Sequence, residues 1–377
     1  MGTMLVAAGG GGDAITAAAL ARPLKLTPPL VIMTYSWDRL LIDPLPGPRT
    51  IDDFTGLDHL APNVSEVLAT TQPKPPAGSS LPRLAAELPV RLILLDPSNG
   101  AKGMAQQIAS TAQLFGADRL VLVDVGGDAL TDGTESGLRS PLADQLAIAA
   151  CIRSGAPSRL LVAAPGIDGE LDSDLLRGKL NDLRAQRLPN LTADDLDPIR
   201  HVFEWHPSEA SGLLAAAASG SRGTVEVRDA GDLITLSDET PSLYLVDLEQ
   251  LPRTSPSRAL TVTGSLEDAE SILIDITGVS ELRYEADKAA ARRERREHAV
   301  TLDDLDTIDQ HADHAASLGV DYISARRLAE LVGVTTLDSY AALNELVATH
   351  RPQQHATSLY AVRPLPATQL RHAALTN

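Results

Sequence analysis

Short apolar runs, several closed by a glycine or an acid and most of them followed by a helical pattern, recur along the first half of the chain. Residues 4–8, 30–34, 91–96, 119–124 and 159–164 are continuous aliphatic stretches, the pattern of strands buried on both faces. Helical patterns at 13–24, 104–115 and 141–153 alternate with them at spacings of about 30–40 residues, as parallel βαβ units do. The expected fold is therefore α/β: an open, mostly parallel sheet flanked by helices, a Rossmann-like three-layer arrangement. Further along, helices are expected at 173–186, 194–203 and 208–218, and strands at 224–228, 233–236 and 243–247. A short apolar run, Ser271–Ile274, is closed by Asp275. Residues 282–298 form a charged helix containing Arg292, Arg293, Arg295 and Arg296, read as a solvated face or a homo-oligomer contact. Proline-rich stretches at 44–48 and 72–82 connect elements rather than separate domains. The organisation expected is an α/β ligand-binding core at 1–280, a helical cap and C-terminal region at 281–350 and a partly mobile tail at 351–377.

Composition narrows the partners. The net charge of −18 lacks the basic field that nucleic acids or anionic membranes require. The segment 319–332 superficially has helix-turn-helix spacing, but Asp303, Asp304, Asp306 and Asp309 beside it make DNA contact repulsive, so a helical cap is the preferred reading. No apolar stretch approaches the ~20 residues of a membrane helix. The first strand has no basic flank, so a signal peptide is not expected and a cytoplasmic location is. Cys151, the single cysteine, excludes an intrachain disulfide and reads as a buried small hydrophobe. Aromatics make up only 3%, which makes Tyr35 and Trp37 after the second strand stand out as a sheet-edge plug or a ligand cover.

Chemistry concentrates in three turns at strand ends. Gly9, Gly10, Gly11 and Gly12, closed by Asp13, allow close backbone approach, and the next helix would offer N–H groups to an anionic oxygen. Gly126 and Gly127 open a long polar loop that carries Asp128, Glu135 and Arg139 and ends in Ser140, the cap of a helix containing Asp144. Asp168 and Glu170 occupy a bare glycine turn. In open α/β sheets ligands lie beyond the carboxyl ends of strands, where these turns belong. Asp128, Glu135 and Asp144 are the acid/base candidates; the glycines, Asp13, Arg139, Ser140, Asp168 and Glu170 are the binding candidates. Converging carboxylates suit a divalent metal such as Mg²⁺, a substrate amine or guanidine, or a general base, and the sequence does not choose among them. His201 and His206 flank Trp205 far from these turns in sequence.

Familiar motifs are absent. The glycine run is not Gly-x-Gly-x-x-Gly, the residues around Lys102 lack the P-loop frame, and there is no Gly-x-Ser-x-Gly elbow. Instead, Ala7-Ala-Gly-Gly-Gly-Gly-Asp-Ala14, the block Asp124-Val-Gly-Gly-Asp128 through Glu135-Ser-Gly-Leu-Arg-Ser-Pro-Leu-Ala-Asp144, and Pro165-Gly-Ile-Asp-Gly-Glu-Leu171 resemble the DUF1152 family of archaeal and actinobacterial proteins over residues 1 to about 335. The resemblance implies a fold and a site region but no reaction. Five lysines against abundant Arg and Ala suit a high-GC actinobacterial source and a place in specialised metabolism. The function expected is that of a small-molecule enzyme acting on a phosphate- or carboxylate-bearing metabolite by group transfer or elimination. A non-catalytic ligand-binding or regulatory protein using the same pocket is the alternative.

Overall fold

Five apolar runs lie side by side as parallel strands. The computed structural model describes residues 2–228, 231–294 and 298–365. In it Ser158–Ala163, Ala117–Val125, Gly2–Ala7, Leu30–Thr34 and Val90–Leu94 are hydrogen-bonded in that spatial order, every pair parallel. The chain starts in the middle, winds out through Leu30–Thr34 to Val90–Leu94, then returns to the other side of Gly2–Ala7. The winding direction therefore reverses between Gly2–Ala7 and Ala117–Val125. The crevice beyond the carboxyl ends of those two strands is where ligands sit in doubly wound sheets. Both double-glycine turns leave the sheet at that point.

Antiparallel strands extend the sheet to nine. Leu243–Asp247 and Gln186–Leu188 lie outside Ser158–Ala163, and the hairpin Val64–Val67 with Asp58–Ala61 lies outside Val90–Leu94. The sheet is thus mixed, parallel at its centre and antiparallel at both margins. Of these marginal strands only Leu243–Asp247 is expected from its apolar run; the other three leave none to read. Asp58 and His59 are exposed edge residues, and the helix expected to reach 186 stops at Asp182, before Arg184 takes a left-handed φ of 50°.

Strand alternation builds the two outer layers. Leu5, Ala7, Val121 and Val123 face one core, covered by Gly11–Ala19 and Glu209–Ala218. Met4, Val6, Leu120 and Leu122 face the other, covered by Gly100–Phe115 and Pro141–Ser154. Cys151 is fully buried in this second core, where burial pushes its thiol pKa up. The run 271–274 lies within the helix Leu266–Thr277, which seats Leu273 on the same core.

The later part of the chain is helical but also carries strands. Asp232–Leu236, Gly223–Val227, Tyr322–Ser324, Leu359–Ala361 and His355–Ala356 form a separate five-stranded sheet, so the strands read at 224–236 do not extend the main one. A third core packs Ile308, Leu328 and Leu343, from Asp303–Ser317, Ala325–Val332 and Leu337–His350, against Ile323 and Tyr360 of this sheet. The segment with helix-turn-helix spacing is Tyr322–Ser324 running into Ala325–Val332. The charged helix is described as Glu281–Arg293, while Arg295 and Arg296, and 366–377 of the tail, lie outside the described residues. No helix among the described residues is long and apolar enough to cross a membrane.

Candidate functional site

Five aspartates from four segments meet at the winding reversal. Asp13 comes from the first turn of Gly11–Ala19, Asp124 from the end of Ala117–Val125 and Asp128 from the turn that follows. Asp144 comes from the first turn of Pro141–Ser154, and Asp168 from the turn after Ser158–Ala163. All five line one cleft of about 90 Å³. Carboxylate oxygens of Asp13, Asp124 and Asp144 lie within 4.8 Å of one another, as do those of Asp128, Asp168 and Glu170. Either trio has the hard-oxygen donors that a divalent cation such as Mg²⁺ takes.

Hydrogen bonding separates the two trios. Glu170 is committed: Oε1 accepts from Arg228 Nη2 (2.8 Å) and Ser140 Oγ (2.9 Å), and Oε2 from the N–H groups of Arg139 (2.9 Å) and Ser140 (3.2 Å). By contrast Asp124 Oδ2, Asp144 Oδ1 and Asp128 Oδ1 are buried with no hydrogen-bond partner among the described residues. Asp124 Oδ1 accepts from Gly127 N at 3.2 Å, and Asp13 Oδ2 accepts from Gly9 N at 2.7 Å. A buried anionic oxygen without a donor costs on the order of 1–3 kcal/mol or more unless a cation or proton satisfies it. The Asp13, Asp124 and Asp144 trio is the better cation seat, with Asp128 beside it.

Electrostatics follow from this crowding. Burial, then repulsion from Asp168 set against backbone N–H donors, carries Asp124 up to about 7. Burial and its acidic neighbours raise Asp13, Asp128 and Asp144 well above the carboxylate range, and burial with Glu170 nearby takes Asp168 to about 6. Burial also pushes Glu170 up, but Arg228 and the Ser140 hydroxyl outweigh it and hold it below its usual value. These groups favour either protons or a metal ion.

The glycines serve this packing. Gly126 has φ +127°, and a side chain on it would collide with the Asp168 carboxylate. Gly126→Ala is expected to destabilise the fold by about 1–3 kcal/mol through the positive φ alone. A lower melting temperature would be the readout. Gly10, at φ +108°, lets the Trp37 carbonyl approach to 2.7 Å of where its Cβ would sit, and Gly11 lies against Asp38 and Ser80. Gly9 and Gly12 line the cleft. In the expected anion cradle the Gly9 N–H is given to the Asp13 carboxylate; separately, the helix start at Pro141 is capped by Glu170 and by Glu281, which accepts from Leu142 N at 2.7 Å.

Of the expected residues the structure brings Gly9, Gly12, Asp13, Asp128, Ser140, Asp144 and Asp168 to the cleft wall, with Glu170 packed against Asp128, Asp168 and Ser140, whereas Glu135 and Arg139 are directed elsewhere. Glu135 is turned into its own loop, accepting from Thr131, from the N–H groups of Asp132 and Gly133, and from Lys179 at 2.6 Å. Arg139 projects toward Asp232, 3.8 Å away. Trp37 lines the cleft and donates to Glu285, whereas Tyr35 is a buried plug bonded to the Ala143 carbonyl. His201 sits near Glu87 on the surface. His206 lines the cleft; its Nδ1 accepts from Ser208 N, so the neutral ring carries its proton on Nε2, which is buried without a partner. That protonated Nε2 is a hydrogen-bond donor rather than a metal ligand, and burial lowers the ring to about 3.

Sequence reasoning missed Asp124, Arg39, Arg228, Glu281 and Glu285 as site residues. Asp124 and Arg39 had a usable signal: each is charged and sits at or just past the carboxyl end of a buried strand. Glu281 and Glu285 stand one turn apart on the charged helix and share the cleft wall, though nothing local distinguishes them from solvated acids.

The family described as "Protein of unknown function (DUF1152)" matches residues 4–289. The chain belongs to that family. The DUF1152 match takes in all nine strands of the main sheet, apart from the first two residues of Gly2–Ala7, and every carboxylate of the cleft. Comparison with curated proteins and with solved structures gives no match.

Proposed function

We propose that this DUF1152 protein is a Mg²⁺-assisted enzyme of small-molecule metabolism that acts on an anionic, phosphate- or carboxylate-bearing metabolite by group transfer or elimination. The observation that carries the reading is the set of buried, unpartnered oxygens of Asp124, Asp128 and Asp144, which an apolar or purely structural role would not leave open. Asp13, Asp124 and Asp144 would hold the cation, which supplies Lewis-acid stabilisation of negative charge on the bound group. Asp128, with Oδ1 unpartnered and its pKa raised, is the carboxylate left to act as general base. His206 Nε2–H and the Arg39 guanidinium, both on the cleft wall, would hold anionic oxygens of the substrate. Glu135, as the loop's tie to Lys179, keeps the Gly126–Ser140 loop in shape.

Titration calorimetry with Mg²⁺ and Mn²⁺, followed by thermal shift across phosphorylated and carboxylated metabolites in saturating Mg²⁺, tests this. Cation binding at one or two sites, and a cation-dependent ligand shift, are expected; a ligand at 100 times its Kd adds about 2.7 kcal/mol. Asp128→Asn separates the enzyme from a ligand-binding protein, because it should abolish turnover while the ligand shift survives. No heat with either cation would sink the proposal.

A further inference from the structure

The helix Gly11–Ala19 starts at the cleft without a side-chain cap. Its N-cap is Gly10, and its first hydrogen bonds run from Asp13 N and Ala14 N to the Gly10 carbonyl. Among the described residues nothing accepts from the N–H of Gly11 or Gly12. Such amides, at the positive end of the helix dipole, favour an anionic oxygen. This start is enclosed: Gly11 is buried, and Gly12 and Asp13 line the cleft.

Two side chains from the segment before Glu209–Ala218 add donors. Cα–Cβ bonds tilt toward a helix's N-terminus, so whatever crowds the missing side chains of Gly11 and Gly12 lies at the end where the free amides point. His206 Nε2 is 3.8 Å from the place of a Gly11 Cβ, and Ser208 Oγ is 2.5 Å from that of a Gly12 Cβ. His206 is 4% exposed and lines the cleft; with Nδ1 accepting from Ser208 N, its Nε2–H is buried without a partner. A buried donor left open costs free energy until an acceptor reaches it. Asp38 is not that acceptor. Its Oδ1, 3.2 Å from the same Gly11 position, and its Oδ2 both accept from Ser80. Ser208 also lines the cleft, and its hydroxyl does not cap the helix it precedes.

The Gly11 and Gly12 amides, His206 Nε2–H and the Ser208 hydroxyl therefore gather at one helix start, and Asp13 of the cation trio stands in its first turn. A carboxylate brings two oxygens to such a set, whereas a phosphoryl group brings three strong acceptors. Mg²⁺ is commonly held by one or two carboxylates together with a substrate phosphate, which offsets the repulsion between that phosphate and Asp13. At about 90 Å³ the cleft is well short of the ~300–1,000 Å³ that encloses a whole small molecule, so it suits one such group and not the body of a metabolite. We propose that the start of Gly11–Ala19, with His206 and Ser208, seats the phosphoryl group of a phosphate ester whose remainder lies outside the cleft. This names the substrate class of the site proposed above and rests on that reading for the cation; the donors do not depend on it.

The test uses inorganic phosphate and acetate as probes, titrated into the full chain by calorimetry in Mg²⁺ and again in EDTA. The Gly11 and Gly12 amide protons and the His206 Nε2 proton are followed by NMR in parallel. Phosphate should bind at least about tenfold more tightly than acetate and move all three signals. Ser208→Ala, which removes a hydroxyl that caps nothing, should weaken phosphate about tenfold while Mg²⁺ binding and the melting temperature in EDTA stay at their wild-type values. Phosphate that binds no better than acetate, a Ser208→Ala protein that binds it like the wild type, or three signals unmoved at saturation overturns the proposal. If Mg²⁺ still binds in that case, the cation reading stands and the carboxylate substrate remains. Phosphate binding that depends on Ser208 but comes with no Mg²⁺ heat sustains the donors and removes the cation site.

Discussion

If the cleft binds Mg²⁺ as proposed, Asp124→Asn is expected to abolish the response to the ion and at the same time to raise the melting temperature of the metal-free protein. The two effects have one cause. Asp124 is 2% exposed, Oδ2 has no partner, and its pKa is carried from 3.8 to about 7 by burial and the Asp168 charge. Ionising it at pH 8 in the metal-free fold costs at most about 4 kcal/mol at 1.36 kcal/mol per pKa unit. Asparagine keeps an oxygen where Oδ1 accepts from Gly127 N and removes the charge. The metal-free variant should therefore be stabilised, by up to a few kcal/mol, in melts run in EDTA. The cation loses the most enclosed oxygen of its seat, and its affinity should fall by more than the ~100-fold typical of supporting-residue changes. Calorimetry and melts with and without Mg²⁺ read both effects. An aspartate kept for structure alone gives the opposite result: a lower melting temperature and an unchanged Mg²⁺ shift.

The legible part of this protein is its centre. The five parallel strands announce themselves as unbroken aliphatic runs because they are buried on both faces, and their order places the two glycine turns at one crevice. Asp128 and Asp168 could be named because they stand in glycine turns after such strands, and Asp144 because it opens the helix at the end of the polar loop. Of the margins only Leu243–Asp247 was legible, as an apolar run. Asp58–Ala61 and Gln186–Leu188 are short, half-exposed edge strands stabilised by pairing rather than by pattern. The second sheet joins Gly223–Val227 to Tyr322–Ser324 across nearly a hundred residues, a pairing no local signal encodes. Within the site, Glu135 and Asp128 look alike in sequence, as acids of one loop. Only tertiary structure shows that Lys179, from Ser173–Asp182, reaches Glu135, while among the described residues nothing donates to Asp128 Oδ1. Arg39 and Glu285 lie far apart in the chain and share a cavity wall because two elements meet there.

Between about pH 6.5 and pH 8 the metal-free protein is expected to lose stability as pH rises, with Mg²⁺ restoring more of it at each step. The sign follows from where protons reside. A carboxylate whose folded pKa lies above its unfolded value of about 3.9 keeps a proton in the fold that the unfolded chain has already released, so stability declines from the unfolded pKa up through the folded one. That decline runs up to about 6 for Asp168 and about 7 for Asp124, and Asp13, Asp128 and Asp144 shift in the same direction. His206 works against it at lower pH. With a folded pKa of about 3, it leaves the unfolded chain holding the extra proton, so its contribution to stability grows with pH until about 6.5 and is constant above. Glu170 and Glu135, both held low, contribute a gain that is complete by about pH 5, once their unfolded forms have ionised. The alkaline half of the range therefore isolates the cleft. Each proton held by the fold and not by the unfolded chain tilts stability by about 1.4 kcal/mol per pH unit. A Mg²⁺ ion bound as proposed would displace those protons, so its affinity should climb over the same interval and the gap between melting curves in Mg²⁺ and in EDTA should widen by a similar amount per proton released. Parallel curves would place the acids of the cleft in contact with solvent rather than with one another, and remove the reason for a cation there.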